Sequence, residues 1–472
     1  THGFLLRILW CRNERLRDFL NFSENLISGM LPFVFLIICG IYFTVKCRFF
    51  QFRFLPESLK YALGGMRKGS RTDGVSPFQA ACTALSATVG TGNIAGVAGA
   101  VAIGGAGAVF WMWISAFAGM TVKVAEILLS LEYREKKNGE YVGGPMYYIK
   151  NGLPKLFAPL AVLYSAAAVP AVFCSGNFTQ TNSAVLSIGG SGIIRLAGGI
   201  FFALLTLIVL AGGAQRVAGF TCKTVPFMAV LYLLMTFGII FVNFDRLPNA
   251  LSMIFKGAFD PSAVTGGAVG SAAAAVFTGA SRGVFSNEAG LGTSAMAHSA
   301  SSHTDGMQQG LFGIFEVFAD TVVICTLTAL SLLCSGVGIE YGKGASAELV
   351  SSAFATLYGK YAVILLAVMM CLFGLSSVIG WGYYGIVSCD YLFGKTGRRL
   401  FIILYPLACI PGALINADTA WRLSGIFNGI MLCINVAAVL LLSENAINSM
   451  NGCRRKGLNA AASSEKRIEN IP

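Results

Sequence analysis

Apolar residues in this chain come in long runs, and this pattern predicts its secondary structure. A membrane-spanning helix needs about 20 mostly apolar residues. The chain holds eleven such runs, which predict a leading span followed by core spans 1 to 10. The leading span covers 26–45, and the core spans cover 78–103, 105–132, 156–187, 193–212, 217–244, 263–287, 309–335, 359–392, 399–415 and 419–443. The pattern therefore predicts an all-α polytopic membrane protein.

The segments outside the spans are short, so no second soluble domain is expected. Shorter helices are predicted at 248–256, 289–302 and 346–357. Residues 1–25 form an N-terminal segment with arginines on both sides of a short apolar run, which is not the pattern of a cleavable signal peptide. Residues 26–450 are predicted to form one transmembrane domain, and 451–472 a disordered polar tail.

The number of core spans predicts a symmetry between two halves. Core spans 1–5 and 6–10 are two sets of five, and an odd number per set makes the second set cross the membrane in the opposite sense. That is the condition for an inverted-topology repeat, the architecture of many secondary transporters. No similarity between the two halves is evident in the sequence, so this prediction depends on topology alone.

Composition supports the membrane assignment. Hydrophobic residues make up 55% of the 472 residues and charged residues only 12%, whereas soluble domains carry about 25% charged residues. The mean hydropathy is +0.70. These values exclude most soluble enzymes.

The net charge of +12 does not indicate nucleic-acid binding, because the basic residues lie in alternate loops. Of 34 lysines and arginines, 22 fall in loops on one side of the predicted spans, chiefly 46–75, 133–155 and the C-terminal tail, and 10 fall on the other side. Lysine and arginine favour cytoplasmic loops. The asymmetry predicts a plasma-membrane protein with a cytoplasmic C-terminus and core span 1 entering from the cytoplasm; the N-terminal arginines are the discordant feature.

Several kinds of chemistry lack a signal in the sequence. The thirteen cysteines are scattered without a CxxC pair and are expected to be small buried residues. His298 and His303 show no metal-ligand spacing and are expected in a loop. No GxxxxGK[ST] motif is found, so ATP-driven transport is not expected. No nucleophile–base pair stands out, so the chain is not expected to be an enzyme.

Core span 1 is interrupted by the polar, glycine-containing stretch SATVGTGNIAG at 86–96. Unpaired backbone at that depth is costly unless it lines a cavity. Broken helices in transporters use such backbone to bind substrates and ions. Free N–H groups at the outer half-helix suit a carboxylate, and carbonyls of the inner half suit a cation. The alternative is a small-residue packing face between helices.

Core spans 6 and 8 carry similar interruptions. The stretch FTGASRGVFSNEAGLG at 277–292 occupies the position that the proposed repeat relates to core span 1, and core span 8 carries Ser376, Ser377 and Trp381. The two hydroxyls can complete a cation's oxygen shell, or they can bond back to their own helix. Amide, hydroxyl and carbonyl oxygens without a carboxylate favour sodium over a proton.

Four charged residues inside the spans have open roles. Lys123 and Glu126, at i and i+3, are predicted to pair at the cytoplasmic end of core span 2. Glu316 and Asp320 share a face of core span 7. Asp320 either holds the core span 6 region or neutralises Arg282, and structural pairing competes here with direct ion binding.

Longer motifs make a resemblance specific. They are SPFQA at 76–80, TVGTGNIAGVA at 88–98, GAVFWMW at 107–113, YVGGPMYYI at 141–149, GVFSNEAGLG at 283–292 and IGWGYYG at 379–385. Over about 25–450 the chain resembles the alanine or glycine:cation symporter family. The resemblance implies ten core helices in two inverted five-helix repeats, broken helices 1 and 6, and an extra leading helix.

The same resemblance implies functions for particular residues. It places the substrate carboxylate near Thr91, Gly92 and Asn93. It adds Gln180 as a polar contact to the substrate, and Trp381 with the Phe277–Ala280 stretch, including Gly279, as walls of the side-chain pocket. It implies sodium ligands in two groups: Ser86, Val89, Ser376 and Ser377, and then Thr88 with Asn93.

The chain departs from the family pattern at three places: Ala106 stands where a proline is common, Gly382 follows the core span 8 tryptophan, and TSAMAHSA follows GLG. These departures concern the fine substrate preference. The expected function is sodium-coupled import of small neutral amino acids such as alanine and glycine, without a cofactor. The alternative is a proton-coupled carrier or a channel of other specificity.

Overall fold

The computed structural model describes residues 26–67, 74–137, 139–189, 192–267, 269, 271–302, 305–342 and 347–452. The predicted N-terminal segment 1–25, His303 and nearly all of the predicted tail therefore lie outside the described residues.

The regular secondary structure of the described chain is helical except for one short hairpin. The first half contains helices Leu31–Lys46, Phe50–Arg67, Pro77–Thr88, Ala95–Gly104, Ala108–Glu132, Pro145–Gly152, Ala158–Ala171, Thr179–Ile188, Gly192–Leu210 and Gly213–Val242. The second half contains helices Leu247–Phe259, Pro261–Thr265, Ala272–Asn287, Thr293–Ser299, Gly306–Val317, Thr326–Ser335, Ala347–Tyr358, Ala362–Leu407, Cys409–Leu414 and Ala417–Leu441. The antiparallel strands β1 (Glu135–Lys137) and β2 (Glu140–Val142) form the hairpin. The predicted all-α membrane fold is confirmed.

Within the described residues, eight helical segments are long and apolar enough to cross a membrane, or nine if one bent pair counts as a span. One of these segments, Ala347–Leu414, contains predicted core spans 8 and 9, which meet where Gly394 takes a φ of 62°. Predicted core span 6 is short, since its first helix, Ala272–Asn287, has 16 residues. The number eleven stays a prediction.

Two predicted loops contain regular structure. The 46–75 region holds the helix Phe50–Arg67, which buries Phe50 and Phe54 while Arg53 stays exposed. Its alternation of apolar and basic faces is typical of a helix lying along a surface. The 133–155 region holds the hairpin and the helix Pro145–Gly152. The predicted short helices at 248–256 and 346–357 are confirmed as Leu247–Phe259 and Ala347–Tyr358.

Core span 2 lies at the centre of the bundle and core span 4 at its edge. In the most apolar stretch of core span 2, 83% of the residues are buried, whereas in that of core span 4 only 33% are buried. Small residues let neighbouring helices approach core span 2 closely. A Cβ added to Gly40 of the leading span would lie 2.5 Å from the Ala118 oxygen, and one added to Gly279 of core span 6 would lie 2.2 Å from the Ala108 oxygen. The central position of core span 2 brings its charged residues to the breaks described next.

Candidate functional site

The predicted break in core span 1 is present. Ser76 and Gln79 form a capping box that starts the first half, which ends at Thr88. Gly90 is extended, Thr91–Asn93 forms one tight turn, and the second half begins at Ala95. The two halves meet at a bend of 56°. Among the described residues, the Asn93 Oδ1 atom accepts the Gly90 N–H at 2.9 Å, so a side chain replaces a lost backbone partner.

Gln180 of core span 3, which the resemblance implied as a substrate contact, hydrogen-bonds to this break. Its Oε1 atom accepts both the backbone N–H and the hydroxyl of Thr91, each at 2.9 Å. Gly90 lies so close that an added Cβ would stand 2.8 Å from that same Oε1 atom. Thr91, Asn93 and Gln180 are all buried. The polar group predicted from separate spans is therefore assembled.

A carboxylate also lies at the break, contrary to the expectation of a site without one. The Asp320 Oδ1 atom accepts from Asn93 Nδ2 at 2.7 Å. Its Oδ2 atom accepts from the hydroxyls of Ser286 at 2.6 Å and Thr321 at 2.8 Å. Asp320 thus holds core span 6 through Ser286, which confirms one of its two predicted roles. The other role is wrong, because the Arg282 guanidinium instead lies 4.4 Å from the ring centre of Trp421.

Core span 6 is broken at the predicted place. Its first half ends at Asn287, Glu288 adopts a left-handed conformation with a φ of 54°, and the second half starts at Thr293. Side chains from three different spans cap the freed carbonyls: Lys123 donates to Asn287 O at 2.7 Å, Asn435 to Gly290 O at 2.8 Å and Tyr164 to Leu291 O at 2.6 Å. Such capping satisfies a helix end inside a membrane.

The predicted pairing of Lys123 with Glu126 is wrong. Lys123 Nζ lies 3.5 Å from the Glu316 carboxylate of core span 7, and all three side chains are fully buried rather than at a membrane surface. Glu126 accepts instead from the amide of Asn435 in core span 10. The reason is tertiary: the orphan carbonyl of Asn287 and the acid on core span 7 draw the lysine away from its own helix.

His298 is not a loop residue, because it lies buried in the helix Thr293–Ser299. Its Nε2 atom lies 2.6 Å from the Glu316 carboxylate, and its Nδ1 atom contacts Gln309. Among the described residues, no group of three or more acids, cysteines or histidines suited to a metal is found.

The hydroxyls predicted to hold sodium divide into two groups. Ser377 Oγ lies 3.4 Å from Val89 O at the break, and Gly90 packs against it. Ser86, Thr88 and Ser376 bond to carbonyls of their own helices at 2.7, 3.2 and 2.9 Å. Ser376 also contacts the Met228 sulfur on core span 5. Ser377 and Val89 are therefore the pair that the fold brings together across two spans.

The aromatic surroundings of the break differ from those implied. Trp381 is 2% exposed and packs against Gly176 of core span 3. Gly279 faces core span 2, Ala280 is buried, and Phe277 is 41% exposed. The residues that face Gly92 are Phe285 and Trp421, whose rings stand 4.8 Å apart. The helix register explains this, because Gly279 and Gly283 face core span 2 while Phe277 and Phe285 point away from it.

The match to a family model decides the family. Residues 13–466 match the model described as the sodium:alanine symporter family. The chain belongs to this family. It is a membrane transport protein, and its resemblance to alanine or glycine:cation symporters is confirmed.

Named relatives agree with this membership but differ in their substrates. The symporter is 38% identical to the "Sodium/alanine symporter AgcS" of Methanococcus maripaludis, over 90% of this chain and 94% of that protein. It is 34% identical to the "Probable sodium/glutamine symporter GlnT" of Bacillus subtilis, over 93% of this chain and 91% of that protein.

A solved structure shares the symporter's fold. The crystal structure of MhsT in complex with L-phenylalanine superposes with a TM-score of 0.59 at 13% identity, covering 81% of this chain and 93% of that one. At this identity the likeness concerns the fold alone.

Sequence reasoning did not assign Ser286, Phe285 or Trp421 to the candidate site, and it left the role of Asp320 open. Ser286 and Asp320 come from different spans, and Phe285 and Trp421 approach Gly92 only through packing. The polar stretch around Ser286 was a usable signal, and so was the intramembrane position of Asp320. Trp421 offered none, since it stands near the start of an ordinary apolar span.

Proposed function

We propose that this symporter imports small neutral amino acids, alanine and glycine, together with sodium, by alternating access. The observation that supports this best is the Asp320 cluster at the break of core span 1. Its carboxylate is fully buried, and it accepts hydrogen bonds from Asn93, Ser286 and Thr321. An ionised carboxylate only accepts hydrogen bonds, and the three donors around Asp320 support this charged form.

The ionised Asp320 calls for a cation. Burying an uncompensated charge is costly unless the charge is paired. Within the described residues, no lysine, arginine or histidine forms an ion pair with Asp320. Its oxygens, with the nearby hydroxyls of Ser286 and Thr321, are the hard ligands that suit a sodium ion. A second cation position would use Val89 O and the hydroxyl of Ser377, with Ser86, Thr88 and Ser376 as further ligands after rotation of their side chains.

The amino acid itself is assigned to the turn at Thr91–Asn93. Gln180 supports this turn from core span 3. Phe285 faces Gly92 with a ring atom 3.1 Å from the position of an added Cβ, and Trp421 lies 3.5 Å from that position at Gly96. Large rings beside two glycines leave room for a small side chain only. The name of the Methanococcus relative supports alanine, whereas that of the Bacillus relative shows that the family also includes a probable glutamine carrier.

The main experiment measures labelled alanine uptake into proteoliposomes under three conditions: an inward sodium gradient, a pH gradient at zero sodium, and no gradient. We expect accumulation only with the sodium gradient. Uptake that follows the pH gradient without sodium would support the proton-coupled alternative, in which the carboxylate of Asp320 binds the proton.

A pair of isosteric variants locates the cation. Asp320→Asn removes the buried charge, so we expect the half-saturating sodium concentration to rise at least about tenfold. Asp390→Asn is the matched control, because Asp390 lies 4.0 Å from Lys137 outside the site. An unchanged sodium dependence in Asp320→Asn would remove Asp320 from the cation site.

A further inference from the structure

A cavity of about 510 Å³ lies beside the break, between four elements that start or end on the same side of the bundle. They are the start of the leading span, the end of core span 1 at Ile103, residues 277–285 in the first half of broken core span 6, and the start of core span 10. The charge asymmetry of the loops places this side outside the cell. The volume is in the range of small-molecule sites, about 300–1,000 Å³.

Arg282 lines this cavity without a partner for its charge. In the described part of the chain, its guanidinium forms neither an ion pair nor a hydrogen bond. It lies over the face of the Trp421 ring, 4.4 Å from the ring centre. An arginine fixed by an aromatic ring keeps its five N–H donors available. A planar, bidentate donor of this kind is matched to a carboxylate.

The cavity also carries the opposite charge and an aromatic floor. Asp418, in the first turn of core span 10, lines the same space, together with a second arginine, Arg422, which has a partner of its own. Phe285 and Trp421 line it as well, and both rings also pack near Gly92 of the broken span. The two rings therefore separate the cavity from the turn to which the substrate was assigned.

We propose that this cavity is an outer binding site for the amino acid before it reaches the break. Arg282 binds the α-carboxylate, Asp418 faces the α-ammonium group, and the substrate then passes the Phe285–Trp421 pair toward Gly92. The chemical class of the ligand, a small zwitterionic amino acid, rests on the function proposed above. Binding at this outer site needs no sodium, because Arg282 and Asp418 match the two charges of the zwitterion and the Asp320 cluster lies beyond the aromatic pair.

The test uses a cysteine as a reporter of occupancy. Ser281 lines the cavity next to Arg282, so Ser281→Cys in intact cells should react with a membrane-impermeant maleimide. In sodium-free buffer, we expect alanine to slow this labelling and alaninamide, which lacks the carboxylate, to have no effect. In the double variant with Arg282→Gln, the alanine concentration giving half-protection should rise at least about tenfold.

Two controls make the result specific. Ser352→Cys places an exposed cysteine on the helix Ala347–Tyr358, away from the cavity, and its labelling should not respond to alanine. The parent chain reports labelling of its own cysteines, of which the eleven described are mostly buried.

Three outcomes would overturn the proposal: a Ser281→Cys residue that never reacts, equal protection by alanine and alaninamide, or protection that Arg282→Gln leaves unchanged. Failure of the proposed function would look different. If uptake proved independent of sodium while Arg282-dependent protection persisted, the outer site would stand and the sodium coupling would fall.

Discussion

At the scale of single residues, Asn93 has the most connected position of the site. Its carbonyl oxygen holds the Gly90 N–H at 2.9 Å, and its amide nitrogen donates to Asp320 at 2.7 Å. One side chain therefore stabilises the turn and connects it to the carboxylate. The sequence predicted the importance of Asn93, but the partner on core span 7 depends on the fold.

Asn93→Ala should abolish coupled uptake while the protein still inserts and folds. The change leaves the Gly90 N–H and one Asp320 oxygen without their partners, at a cost of about 1–3 kcal/mol for each buried group. Alanine uptake under a sodium gradient, normalised to the amount of protein in the membrane, measures the effect. Asn249→Ala is the control, since Asn249 is exposed and makes one long contact with Met253 at 3.9 Å. Near-normal uptake by Asn93→Ala would show that the assignment is wrong.

Trp381 should limit the size of the substrate. Its side chain packs against Gly176, one helical turn before Gln180 on core span 3, so the indole lies next to the residue that holds Thr91. Trp381→Leu opens volume that a branched side chain can fill, and alanine loses contacts. We expect leucine, valine and methionine to become competitors of labelled alanine, and the affinity for alanine to fall.

Trp111→Leu is a matched control for this change. The Trp111 indole donates a hydrogen bond to Ala258 O in the helix Leu247–Phe259 and not to a residue of the break. The competing interpretation, that Trp381 is an aromatic anchor facing lipid or another helix, predicts an unchanged competition profile for Trp381→Leu. That result would also remove the support that Trp381 lends to the predicted register of core span 8.

At the scale of elements, close contact between core spans 1, 3 and 8 depends on missing side chains. A Cβ on Gly90 would stand 2.4 Å from the Ser377 hydroxyl, and one on Gly380 would stand 2.4 Å from the Ser86 hydroxyl. Two glycines on two helices thus bring backbone and hydroxyl oxygens within reach of one another. The predicted alternative, a small-residue packing face, describes this contact as well, so packing and binding share the same residues.

Gly90→Ala should therefore impair transport far more than an ordinary glycine substitution. The added methyl group forces core spans 3 and 8 away from the turn, and overpacking of this kind costs about 1–3 kcal/mol. Gly219→Ala in core span 5 is the control, since an added Cβ meets nothing within 4 Å there. Uptake and thermal stability of both variants are measured in detergent and in proteoliposomes. Equal uptake by the two variants would contradict the close-contact argument.

At the scale of the whole molecule, the arrangement of buried charge is the main result of folding. Lys123, Glu316 and His298 come from core spans 2, 7 and 6 and meet in the interior. Glu126 joins the same region through Asn435 of core span 10. Their contacts surround the break of core span 6, so the charges stabilise a helix end where the membrane offers no water.

The class of protein could be read from the sequence because it depends on local quantities. The thickness of the bilayer sets the length of an apolar run that can cross it. Glycines and polar residues inside such a run indicate a helix that is broken within the membrane. The breaks at Gly90 and at Glu288–Gly292 were predicted for this reason, whereas the roles of Thr91, Asn93 and Gln180 were implied by the family resemblance. Long motifs then identified the family.

Only the tertiary structure decided which groups meet. The pairing of Lys123 with Glu316 rather than Glu126, the buried position of His298, and the approach of Phe285 and Trp421 to Gly92 all join residues far apart in the chain. Helix periodicity gives the neighbours on one element but not the rotation of two helices against each other. That rotation follows from packing across many contacts, and it determines which oxygen faces which donor.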